Sequence, residues 1–197
     1  MSYASGDVAP ELREEFPGLR LHYATLEARV GPSPRELRQR LRILSDRYVG
    51  AGVVAMRTKP IPHAYRAFFR QVGLDPDAAR IPSEEAAVRR LLQGRFQSRD
   101  TLRDALLIAL IETGVPVWAL DAHVVDVGSL GIRLLDGRLV VADDSRVHAT
   151  LFGDPRAGHE PGPGERRVVL YAVAVDGVPA IHVEEALWVA TDMLEAG

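Results

Sequence analysis

The 197-residue chain predicts an α+β fold, a single layered domain in which mixed or antiparallel sheets pack with several helices. Three observations predict it. Segments of helical period, each with start and stop signals, fill residues 33–114. Beyond residue 115 the apolar pattern changes to that of strands and tight turns. Between them, residues 102–113 hold the stretch ALLIALI, apolar on nearly every side, as expected of a central helix enclosed on most of its circumference.

The elements follow in order. The first 15 residues are polar and are expected to form a loose N-terminus to a domain that otherwise fills 1–197. LRLHYATLEARV (19–30) is rich in strand formers and predicts one strand or a bent pair. PSPRELRQRLRILSDRY opens with Ser33 as cap, Pro34 at the first helical position and Glu36 completing a capping box, with Leu37, Leu41 and Leu44 along one face. PIPHAYRAFFRQVG is a second helix closed by Gly73. IPSEEAAVRRLLQGRF is a third, with Ser83 as cap, Glu84 and Glu85 at the positive end of the dipole, Arg89 and Arg90 at the negative end, and Gly94 as terminator. TLRDALLIALIETG is the fourth, with Thr101 and Asp104 as cap pair and Gly114 as stop. GIRLL and RLVVAD flank Asp136–Gly137, a hairpin signal. GDPRAGHEPGPGE (153–165) holds too much glycine and proline for an element and predicts a mobile loop. RRVVLYAVAV is a strand buried on both faces, and HVEEALWVATDMLEA closes the chain as an amphipathic helix.

Composition narrows the function classes. Cysteine is absent, which removes thiolate nucleophiles, disulfides and zinc–cysteine sites. The N-terminus lacks the pattern of a secretory signal and no apolar run is long enough for a bilayer, so a cytoplasmic protein without membrane contact is expected. Net charge is −3, so any RNA contact comes from a local patch, and DNA is not an expected partner. The six histidines show no HxxxH or HExxH spacing, which predicts no metal site. GxSxG, Walker and Rossmann patterns are missing, so no nucleotide cofactor is expected. Asp143 and Asp144 read as a solvated turn at a strand end.

The adjacent Arg89 and Arg90 point roughly 100° apart on a helix. They either grip a phosphate at a pocket mouth together with Arg95 and Arg99, or one folds inward onto a carboxylate such as Asp104 or Glu112 and pins helix to helix.

Order and spacing add a family likeness. FPGL, then AYRAFFRQVGLDPDAARIPSEEAAVRRLLQGRF, then LRDALLIALIETGVPVWALDAHVVDVGSLGIRLLDG resemble free-standing B3/B4-type proteins. Those proteins are similar to the tRNA-editing module in the β chain of bacterial phenylalanyl-tRNA synthetase. The likeness covers residues 16–145. It implies a trans-acting hydrolase for the ester of a mischarged aminoacyl-tRNA, with tRNA or aminoacyl-tRNA as partner and no cofactor.

The chain departs from the synthetase pattern at several positions. Asp100 and Thr101 stand where asparagines are expected, and Trp118 stands where a histidine is expected. Tryptophan stacks and donates one hydrogen bond but accepts no proton. Asp121 matches the family aspartate, and the glycine-rich acidic segment is not recognisable in RVHATLFGDPRAGHEPGPGE. Asp100, Thr101 and Asp121 are therefore the catalytic candidates, with cap roles as their structural alternatives, and Trp118, Arg89, Arg90 and Arg99 the substrate-binding candidates. Two functions stay open: an editing deacylase, or a non-catalytic module that holds an amino acid, aminoacyl group or tRNA end. A third, a structural interaction protein, rests only on Leu187 and Trp188 of the last helix.

Overall fold

Two four-stranded sheets and six helices make up the described residues of the computed structural model, which are 3–48, 50 and 58–195. The first sheet has the order β1 (Ala4–Ser5), β3 (Arg20–Val30), β8 (Gly164–Ala174), β4 (Val117–Asp121), antiparallel throughout. Its centre is one long pair, β3 against β8, in unbroken register from Arg20 opposite Ala174 to Val30 opposite Gly164. Residues 168–174 of β8 are buried on both faces, as their near-continuous apolar run predicts. The second sheet has the order β2 (Asp7–Val8), β5 (Gly131–Leu135), β6 (Arg138–Ala142), β7 (Val147–Thr150), with β2 parallel to β5. The expected β5–β6 hairpin turns through Asp136 (φ 50°) and Gly137 (φ 71°), the positive pair that a two-residue turn of this hand needs.

The helices are α1 (Pro10–Glu15), α2 (Arg35–Arg47), α3 (Pro60–Gln71), α4 (Pro82–Gln93), α5 (Thr101–Thr113) and α6 (Ala180–Glu195). The N-terminal segment is thus not loose. Residues 4–15 supply an edge strand to each sheet and a short helix, anchored by the buried Val8 and Leu12. Polar composition hid this, because two-residue strands carry no period. Ala196, the last residue of the expected final helix, lies outside the described residues, as do Met1 and Ser2 of the N-terminus.

Three expected caps are replaced, the Thr101–Asp104 pair among them, since Asp100 is the N-cap of α5. Ser33 caps nothing; its hydroxyl donates to Asp104 at 2.5 Å, and α2 starts after Pro34. Ser98 also donates to Asp104, as does the Arg99 N–H at 2.9 Å, so Asp104 is a buried acceptor that ties three segments together. A buried carboxylate left short of donors costs more than a lost cap, which is why the tertiary bond takes Ser33. In α4, Pro82 is the first helical residue and Ser83 lies inside the helix, its buried hydroxyl without a partner among the described residues.

The all-round apolar α5 has a two-sided explanation. Ala105, Ile108 and Ala109 are fully buried in the core, where α5 packs against α6. Leu106, Leu107 and Leu110 are only half-buried, and they face a cavity.

Candidate functional site

That cavity has a volume of about 590 Å³, within the range of small-ligand sites. Its floor is Leu102, Leu106, Leu107 and Leu110 of α5 with Val117, Trp118 and Ala119 of β4. Trp118 is held rigidly: its ring stacks on Tyr171 (centroids 5.6 Å apart, planes at 17°) and touches Phe152 at 5.9 Å. Phe152, at φ 62°, also contacts Tyr65, Phe68 and Phe69, and so joins the cavity wall to the α3 aromatics.

Two chain segments form the rim. One runs along α4 and into α5 and carries Arg80, Glu85, Arg89, Arg90, Arg99, Asp100 and Arg103. The other is the 152–161 segment, which contributes Gly153, Asp154, Pro155, Glu160 and Pro161. Arg103 links the two, donating to Asp100 at 2.6 Å and to Glu160 at 3.2 Å. Five arginines face four carboxylates in this lining, so the rim has little net charge. It can bind one anionic group through directed guanidinium bonds, but it is no broad track for a phosphate backbone.

The predicted residues divide between cavity and scaffold. Trp118, Arg89, Arg90, Arg99 and Asp100 line the cavity, whereas Arg95, Thr101 and Asp121 do not. Arg90 is the pin: its Nη2 and Nε donate to the Ser45 carbonyl at 2.8 and 3.2 Å, so the acceptor is a helix-end backbone oxygen rather than a carboxylate. Arg89 makes only a loose pair with Glu85 at 3.6 Å and leaves its guanidinium half in water. The Arg99 side chain has no ionic partner among the described residues.

Asp100 is the N-cap of α5, accepting the Arg103 N–H at 2.8 Å. Thr101 is buried and its hydroxyl donates to the Gly31 carbonyl at 3.0 Å. Asp121 accepts from the backbone N–H and ring of His123, each at 2.9 Å. Burial alone would raise its pKa, but the His123 bonds and charge, with Arg166 beyond, outweigh that and hold it below the usual carboxylate value. All three candidates thus have structural employment, and only Asp100 of them touches the cavity.

Several residues that matter carry no motif in the sequence. Arg66 is buried on α3 and bonds both carboxylate oxygens of Glu84 at 2.8 and 2.9 Å, so Glu84 is a helix-to-helix clamp rather than a dipole charge. The signal available was an arginine inside the apolar face of AYRAFF. Asp143 is not in a solvated turn. It is buried, and it accepts from Asp126, Ser145, Arg146 and His148. His148 in turn meets His159 across an Nδ1···Nδ1 distance of 3.0 Å, a pairing of residues 11 apart that no motif announces.

No family model matches the chain, and no curated protein matches it. Among the described residues no helix is long and apolar enough to cross a membrane, and no group of three or more histidine, cysteine or acidic residues is placed to hold a metal ion.

Proposed function

We propose that this chain is a non-catalytic binding module for an amino acid or for the aminoacyl end of a tRNA. One observation carries the reading: the cavity joins an apolar floor, which includes the stacked Trp118, to a rim of arginines that can hold a single anionic group. An aminoacyl nucleotide end offers those two features, an organic side chain and a nearby phosphate. The near-neutral rim favours capture of the end of the molecule over capture of a tRNA body.

Ester hydrolysis needs a base beside an oxyanion donor and a positioned water. The described lining includes no histidine, and of its four carboxylates Asp100 is committed to the α5 cap and to Arg103, Glu160 to Arg103, and Glu85 to Arg80 and Arg89, which leaves the exposed Asp154. This favours binding over editing. The family resemblance supports the choice of ligand class, and the departures at Asp100, Thr101 and Trp118 support the loss of chemistry.

The test is a titration of the purified protein with a panel of aminoacyl-tRNAs, uncharged tRNAs and free amino acids. Trp118 emission would be followed in a Trp188→Phe background, and ester release would be measured in parallel. Saturable quenching without release above buffer is the expected result. Release with any ester would restore the hydrolase, and no binding by any member of the panel would remove both readings.

A further inference from the structure

The His148–His159 contact has no part in the site described so far, yet it fastens one wall of the cavity. The 152–161 segment lines the cavity at both of its ends, through Phe152–Pro155 and Glu160–Pro161. Between those ends it is attached by a few directional bonds. Arg156 N–H donates to the His148 carbonyl at 2.8 Å, Asp121 N–H to the His159 carbonyl at 2.9 Å, and Pro155 bridges to Ala149. Within residues 156–159 the two imidazoles make the only side-chain hydrogen bond to another part of the chain among the described residues, and Arg103–Glu160 fastens the residue that follows.

We propose that His148 and His159 form a proton-operated clasp on this wall, closed while the two rings share one proton between their Nδ1 atoms and open when both rings are charged. The inference concerns regulation of the cavity assigned above and rests on that assignment.

The chemistry follows from the donor inventory. Each ring nitrogen of a charged imidazole is a donor, and a neutral imidazole keeps one acceptor. His148 is fully buried and presents Nε2 to Asp143 at 2.9 Å, which makes that nitrogen the donor. Its Nδ1 then accepts from His159, or donates to it if His148 carries the charge. Either arrangement preserves the 3.0 Å contact with a single proton in it. A second charge places two N–H groups face to face, and neither arrangement survives.

The surroundings bias when the second proton arrives. Arg146 of the β6–β7 turn and Arg156 of the segment itself are the cations near His159, and Asp143 is the facing anion. Asp143 is already saturated by Asp126, Ser145 and Arg146 donors besides His148. From β4, Asp121 faces the segment with its backbone only, its carboxylate being engaged by His123. On the cavity side Glu160 answers Arg103. Burial first, then the charge on His148, then Arg146 and Arg156 lower the His159 pKa. The closed form therefore binds fewer protons than the open one. It is fully stable above the ordinary histidine value of about 6.5 and is lost as pH falls below it.

The experiment needs no ligand, so its failure is distinct from failure of the binding assignment. In the Trp188→Phe protein the remaining indole is Trp118, which touches Phe152 at the start of the segment. Acrylamide quenching of that indole, read from pH 8 to pH 5, should rise, with the open-to-closed ratio changing about tenfold per pKa unit by which closure lowers His159. His159→Gln keeps a neutral donor and acceptor for His148 and should give a flat profile at unchanged far-UV circular dichroism. Amide exchange at Arg156 and Asp121 should follow the same pH course. A flat profile in the parent protein, or a pH step that persists in His159→Gln, overturns the clasp.

Discussion

Arg89 and Arg90 should separate cleanly into one residue for binding and one for stability. Arg90 donates two bonds to the carbonyl of Ser45 in the last turn of α2, which also accepts a longer 3.3 Å bond from the Tyr48 N–H at the helix C-cap. A charge-assisted bond of this kind, in a half-buried setting at the negative end of a helix dipole, contributes about 2 kcal/mol. For a domain of this size each kcal/mol moves Tm by about 2–4 °C, so Arg90→Ala should lower it by about 4–8 °C. Arg89 has a 3.6 Å pair with Glu85, both half in water, worth about 0.5 kcal/mol or less. Arg89→Ala should leave Tm within about 2 °C, while weakening aminoacyl-tRNA binding and reducing the salt slope by about one ion. Scanning calorimetry and a salt-dependent binding series on both variants decide it. Equal losses of Tm for the two variants, with binding and its salt slope unchanged, would refute the assignment of Arg89 to the rim.

Three further outcomes are expected. Glu84→Leu alone leaves the buried Arg66 short of its main acceptor and should cost about 3–5 kcal/mol, whereas Arg66→Met with Glu84→Leu should recover most of it; a thermal double-mutant cycle reads the coupling. For Asp143, burial raises the pKa, but the Asp126 N–H, the Ser145 hydroxyl, His148 and the Ser145 N–H together outweigh burial and depress it well below the carboxylate range. Its contribution is thus present above the unfolded value near 3.9 and is lost as pH falls through the folded one, so Asp143→Asn should flatten the acid limb of a urea-stability profile. Gly137→Val should cost about 1–2 kcal/mol in denaturant midpoint, because a β-branched residue at φ 71° strains the β5–β6 turn.

The fold was legible wherever local chemistry decides structure. Gly94 and Gly114 end α4 and α5 in the left-handed conformation that their positions announced. Asp136–Gly137 turns the hairpin, and the apolar run of β8 is buried on both faces. What failed to show were pairings set by distant residues. Ser33 reads as a cap until Asp104, 71 positions away, claims its hydroxyl. Glu84 reads as a dipole charge until Arg66 packs across it. In the site, Arg89, Arg90 and Arg99 were singled out from the sequence and Trp118 through the family likeness, but Arg80, Arg103, Phe152 and Glu160 were not, the last two because they sit in a glycine- and proline-rich stretch with no period to read.

The same stretch explains why α5 can be apolar on every side without being a core helix on every side. A half-buried row of leucines facing open water would be a liability; facing a cavity walled by Phe152 and the 153–161 segment it becomes a floor. The wall is therefore as much a part of the site as the floor, and a ligand that rests on Trp118 must also settle against Phe152, whose ring is braced by Tyr65, Phe68 and Phe69. Binding should consequently be felt in α3, outside the cavity, through that aromatic chain. The arginine rim adds direction: Arg103 spans Asp100 on one side and Glu160 on the other, so an anionic ligand group that draws the guanidinium toward itself strains these bonds. Of the two, the 3.2 Å bond to Glu160 is the weaker, and its loss would act on the segment that His148 and His159 hold from behind. Ligand entry and wall position are in this way mechanically joined at one guanidinium.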